Sequence, residues 1–124
     1  MARHKILIIE DEPDLAKVLS NRLASRDFEV SIAQDAYQGS SQVINKQPDL
    51  VILDLMLPAG GGIKVLKNIR INSKIMNMPV MILTGLNDPE YEKQIRALGV
   101  QAYFQKPYEF ETLLGKIKEL LMVE

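Results

Sequence analysis

Four places in the sequence carry groups suited to phosphoryl or metal chemistry. They are the acidic run Glu10, Asp11 and Glu12, the lone Asp54, the hydroxyl of Thr84 and the ammonium of Lys106. Asp54 stands inside "VILDLMLPAGGG", Val51 to Gly62, with apolar residues on both sides. Burying a carboxylate there is costly unless a counter-charge meets it. Two carboxylates about 4 Å apart repel by roughly 4 kcal/mol at an effective dielectric near 20. A hard divalent cation relieves that repulsion, and Mg²⁺ needs only one or two carboxylates alongside water or phosphate oxygens. A lysine adds fixed positive charge, and a threonine hydroxyl both donates and accepts. Such a set suits phosphoryl transfer, in which an aspartate can itself be the nucleophile.

Elements that bring these groups together are readable from the pattern. Lys5–Glu10, Leu50–Asp54 and Val80–Thr84 are continuous apolar runs, as expected of strands buried on both faces. Phe28–Ala33 alternates like a more exposed strand, and Val100–Gln105 is the fifth. Helical spacing follows each strand. The first helix, opened by Pro13, carries Leu15, Val18, Leu19 and Leu23 at helical spacing. A weaker second helix opens at Asp35 as N-cap. The third runs from Gly62 to Ile71, the fourth over Asp88–Gly99, and the last carries a stripe of Phe110, Leu113, Leu114, Ile117, Leu120 and Leu121.

Five βα units imply an α/β three-layer sandwich with a five-stranded parallel sheet. Of the two plausible strand orders, the flavodoxin-like 2-1-3-4-5 fits five strands better. In either, ligands gather beyond the carboxyl ends of the strands. Glu10, Asp11, Asp54, Thr84 and Lys106 all fall at such ends.

The four motifs "IIEDE", "ILDLMLP", "ILT" and "FQKP" together resemble the receiver domain of two-component response regulators, over essentially the whole chain. The resemblance implies that residues 1–124 are one receiver domain, a chemotaxis-regulator-like single receiver that works as a phosphorylation-dependent switch. It implies Asp54 as phosphoacceptor and Asp11 as the carboxylate ligand of Mg²⁺. Glu10, where aspartate is commoner, takes the second acidic position and acts partly through water. Met56 supplies a backbone carbonyl to the metal. Lys106 pairs with the acceptor and then with the phosphoryl group, Thr84 binds the phosphoryl oxygen on switching, and Tyr103 swings inward with it. A cis Lys106–Pro107 bond is also expected. Met56 and Leu86 flank the path of an attacking water, and their apolar character implies slow self-dephosphorylation. Gly61 stands where the family often has a polar residue, which implies a looser loop.

The implied partners are a sensor histidine kinase or phosphotransfer protein, and either a downstream protein target or a C-terminal effector domain beyond these residues. The responding face is that of the fourth helix, fifth strand and fifth helix. It is also a candidate surface for a phosphorylation-dependent dimer.

Other readings fare worse. An aspartate-nucleophile phosphatase needs a second aspartate two residues on, where Met56 stands. A flavodoxin-like cofactor binder needs a hydroxyl- and glycine-rich loop after the first strand, where "EDEP" would repel phosphate. Gly60–Gly62 lacks the Gly-Lys-Ser/Thr ending of a nucleotide loop and reads as a turn. Met76, Met78 and Met81 read as core and loop packing, and the single histidine, His4, as a strand-entry residue. There is no cysteine, which excludes thiolate chemistry. A net charge of −1 gives no field for nucleic acid, and no segment has the length of a membrane span. The expected location is the cytoplasm.

Overall fold

The structure is a computed structural model that describes residues 3–123. Strands and helices alternate: β1 (Lys5–Ile9), α1 (Pro13–Ala24), β2 (Glu29–Ala33), α2 (Ala36–Lys46), β3 (Leu50–Leu53), α3 (Gly61–Ile71), β4 (Val80–Thr84), α4 (Pro89–Leu98), β5 (Ala102–Gln105) and α5 (Phe110–Leu121). All pairings are parallel, in the order β2-β1-β3-β4-β5. This is the flavodoxin-like order expected from the sequence.

Apolar runs in β1, β3 and β4 reflect burial on both faces. Ile6, Ile8, Ile52, Met81 and Leu83 meet Leu19 and Leu23 of α1 and Leu113 and Ile117 of α5. On the other face Leu7, Ile9, Leu53 and Ile82 meet Val43 of α2, Val65 and Leu66 of α3 and Ile95 of α4. The strands' alternation thus feeds two separate cores.

Local signals set several helix ends. Asp35 caps α2 by accepting from the Gln38 N–H, and Asp88 caps α4 by accepting from Glu90 and Tyr91. Pro13 and Pro89 occupy first turns, where a missing N–H costs nothing.

Two expectations need correction. Leu15 and Val18 share helical spacing with Leu19 and Leu23, yet they are 46% and 56% exposed, and Ala16 is buried instead. They border a crevice beside α1 rather than the core. The glycine run is also not a loose turn. Pro58–Gly60 forms one 3-10 turn, α3 begins at Gly61, and both Gly61 and Gly62 are buried. A Cβ on Gly61 would stand 2.9 Å from Ala36 Cβ, so this is tight packing. Of the methionines, Met81 is fully buried and Met78 packs on the core, but Met76 is 48% exposed.

Candidate functional site

The polar groups collect at the carboxyl edge of the sheet. In parallel register, Ile9 of β1 aligns with Leu53 of β3, so Glu10 and Asp54 leave neighbouring strands side by side. Hydrogen bonds from Asp54 N to Ile9 O and from Glu10 N to Ala33 O carry the ladder one step further. Lys106 follows β5, and its N–H bonds to Thr84 O. The backbone ladder, rather than loop flexibility, therefore fixes where these side chains start.

Lys106 Nζ lies 2.5 Å from Glu10 Oε1 and 3.1 Å from Asp54 Oδ2. Asp54 Oδ1 accepts from the Met56 backbone N–H at 2.9 Å. Both carboxylates are largely buried, at 5% and 6% exposure. Carboxylate oxygens of Glu10, Asp11 and Asp54 come within 4.8 Å of one another, with Asp11 at the more open edge. Three acids thus face one ammonium. Burial raises the Glu10 carboxyl to about 7, and Asp54 adds to the rise while Lys106 opposes it. The Lys106 ammonium is itself held above its ordinary value: burial acts against this, but its two hydrogen-bonded carboxylates outweigh it. An oxygen-only, electron-rich cluster with surplus negative charge fits a hard divalent cation such as Mg²⁺.

Thr84 is fully buried at the end of β4, and its Oγ1 accepts from the Leu86 N–H at 3.2 Å. That hydroxyl makes no hydrogen bond to Asp54 or Lys106 among the described residues. Tyr103 aligns with Ile82, two residues before Thr84, and both tyrosine and threonine lie on the same sheet face. The half-buried Tyr103 ring packs with the core under α4, and its hydroxyl is buried without a partner among the described residues. Burial raises its pKa, with Glu92 adding to the rise. Arg96 of α4 sits 5.3 Å from the ring centroid. The Lys106–Pro107 bond is cis.

Met56 is 56% exposed, and a Cβ on Gly85 would stand 3.8 Å from its Sδ. The thioether therefore leans toward the β4–α4 loop, where the half-buried Leu86 stands.

Three features escaped the sequence reading. One is the direct Lys106–Glu10 ion pair. Another is the Met56 N–H bond to the Asp54 carboxylate. The third is a crevice of about 530 Å³ beside the acids, bordered by Leu15, Val18, Arg22, Pro107 and Tyr108. The aromatic two residues after Lys106 was its only sequence signal.

Known proteins are similar to this chain in sequence and fold. The family model "response regulator receiver domain" matches residues 6–118. The DNA-binding dual master transcriptional regulator RpaA of Synechocystis is 33% identical over 94% of the chain and 48% of its own length. Response regulator ArlR of Staphylococcus saprophyticus is 33% identical over 94% of the chain and 52% of its own length. The chain thus spans about half the length of these curated relatives. Among solved structures, a CheY-like receiver domain protein from Methanospirillum hungatei superposes with TM-score 0.89 at 29% identity, covering 98% of this chain and 95% of its own. Receiver domains of this kind are phosphoacceptor switches rather than classical enzymes, and they generally bind Mg²⁺. Fold, acidic edge and sequence agree: the chain belongs to the receiver domain family of two-component response regulators.

Proposed function

We propose that Asp54 accepts a phosphoryl group from a phosphohistidine on a sensor kinase or phosphotransfer protein. The observation that carries this reading is the placement of Asp54, buried just past the end of the central strand β3 and bonded to both Lys106 and the Met56 N–H. Those two contacts orient the carboxylate before any donor arrives. One carboxylate oxygen attacks phosphorus, the P–N bond breaks, and the imidazole nitrogen leaves with the electron pair and takes up a proton. The product is an acyl phosphate. Lys106 then pairs with the new phosphoryl oxygens and offsets their charge.

Glu10, Asp11, Asp54 and the Met56 carbonyl would hold Mg²⁺ here. When bound, the ion neutralises charge on the transferring oxygens. Otherwise Lys106 offsets only part of the acids' charge, and the sheet edge keeps bulk water from the buried side of Asp54.

The readout lies on the α4-β5-α5 face. Thr84 Oγ1 accepts a bond from Leu86 but gives its proton to none of the described residues, so that proton is free for a phosphoryl oxygen. Movement of Thr84 changes the packing of Tyr103 on the same sheet face, and through it α4. The changed face then engages a downstream protein, an effector domain or a second copy. Met56 and Leu86 crowd the path to the acyl phosphate and slow its hydrolysis.

Acetyl phosphate with Mg²⁺ tests this reading by NMR. Concerted shifts along α4, β5 and α5 are expected as Asp54 is modified. Phosphoryl uptake with shifts confined to the loops around Asp54 would overturn the assignment of the face.

A further inference from the structure

The chain's charge is divided unevenly. Between Asp54 and Asp88 there is no acidic residue, while Lys64, Lys67, Arg70 and Lys74 all fall there. The sixteen acids all lie outside residues 55–87. The small net charge therefore hides a basic surface built on α3 and the turn after it.

That surface borders a groove of about 410 Å³ between α2 and α3, away from the acidic site. Ile44, Ile69, Ile71 and Ile75 supply its apolar lining, and Ser40, Asn68 and Asn72 its polar groups. Ile44 is 45% exposed and Ile71 82%, and Tyr37, one helical turn before Ser40 on α2, is 84% exposed. Lys64 precedes Asn68 by one turn, and Lys67 precedes Ile71 by one turn, so both exposed lysines share a helix face with a residue that lines the groove. Among the described residues, Lys64, Lys67 and Lys74 make no ion pair. Exposed apolar residues that cluster and carry a charged rim mark an interaction surface.

We propose that the α2–α3 groove binds an acidic amphipathic segment of a partner protein. Its apolar side chains would enter between Ile44 and Ile71, and its carboxylates would meet Lys64, Lys67 and Lys74. Nucleic acid suits the surface less well. Arg70 is the only guanidinium in the basic segment, and it already donates to the carbonyls of Gly99, Met76 and Met78, so it offers no fork to phosphate. An aliphatic floor also offers bases little to stack on. The groove and its occupant do not depend on phosphoryl chemistry at Asp54, so either reading can fail alone.

The test is an NMR titration of the full chain with a synthetic helical peptide. The peptide carries Leu and Phe on one face and Glu on its flanks. Matched peptides replace Glu by Gln, or Leu and Phe by Ala. Shifts at Ser40, Ile44, Asn68 and Asn72 are expected with the parent peptide. Lys64→Glu with Lys67→Glu should weaken binding about tenfold, as should either matched peptide. Ile71→Ser should do the same, and since all three positions are exposed the fold is retained. Absence of groove shifts at millimolar peptide would overturn the proposal. So would binding indifferent to these variants, or tighter binding of duplex DNA or phosphatidylserine vesicles than of the peptide.

Discussion

The Lys106 ammonium lies 3.1 Å from Asp54 Oδ2, joining residues 52 positions apart across the edge of the sheet. The same nitrogen bonds Glu10, so one cation serves two largely buried carboxylates. Repulsion among acids held this way is a strain on the folded state that a divalent cation relieves.

Replacing one acid should therefore stabilise the metal-free protein. Asp54→Asn removes a like charge while keeping the shape of the side chain. In EDTA the variant is expected to gain about 1 kcal/mol in urea denaturation. In saturating Mg²⁺ the advantage should shrink, because the wild type then gains binding energy that the variant lacks.

Glu10 gives the metal-free protein a distinctive pH profile. Its folded-state value, about 7, lies above the ordinary 4.5. The unfolded chain therefore ionises Glu10 more readily than the folded one. The contribution is fully present below about pH 4.5 and is lost as pH rises through about 7. Stability from this group should fall by up to about 1.4 kcal/mol per pH unit in that window. Glu10→Gln should remove the slope. Mg²⁺ affinity should run the opposite way, rising to about pH 7 as the proton to be displaced disappears. Denaturation series and Mg²⁺ titrations at stepped pH read both.

Three glycines should respond to alanine in different ways. A Cβ on Gly62 would meet Leu55 Cα at 2.5 Å, Leu55 O at 2.7 Å and Asp54 O at 2.9 Å. Backbone atoms cannot step aside cheaply, so Gly62→Ala should destabilise by about 2–3 kcal/mol. Gly60 has open space around it but a φ of +68°, so Gly60→Ala should cost about 1 kcal/mol. Gly115, exposed inside α5 with nothing nearby, should gain about 0.5–1 kcal/mol as alanine. Thermal melts of the three variants check the order.

Much of this was legible beforehand. Strands buried on both faces leave unbroken apolar runs, so β1, β3 and β4 were plain in the sequence, and with them the strand ends at which Glu10, Asp54 and Thr84 stand. Helical spacing told less about α1. Periodicity groups Leu15 and Val18 with Leu19, but whether a helix face meets core or crevice depends on what α5 and the β5–α5 loop leave open. Gly62 opens the helix expected from the sequence, but its close approach to the Asp54–Leu55 backbone is a tertiary fact that no local pattern encodes. Pairing of Lys106 with Glu10 was hidden for the same reason. The sequence placed the lysine at the right strand end, and only the packed edge chooses between its acidic neighbours.

Thr84 and Tyr103 should separate acceptance from response. Thr84→Val keeps the shape but removes the hydroxyl, and Tyr103→Ala empties the ring's place under α4. Both variants should accept the phosphoryl group at rates within about threefold of wild type, since neither touches Asp54. The NMR response on α4, β5 and α5 should fall sharply in each. Loss of phosphoryl uptake in Thr84→Val would move the threonine from readout into the transfer step.

The central claim is that Asp54 is the acceptor, and chemical mapping tests it most directly. The protein is incubated with acetyl phosphate and Mg²⁺, the acyl phosphate is reduced with borohydride, and the modified peptide is sequenced by mass spectrometry. One phosphoryl group per chain is expected, dependent on Mg²⁺, converted to homoserine at Asp54 and absent from Asp54→Asn. Modification at another residue, or equal uptake by Asp54→Asn, would contradict the account.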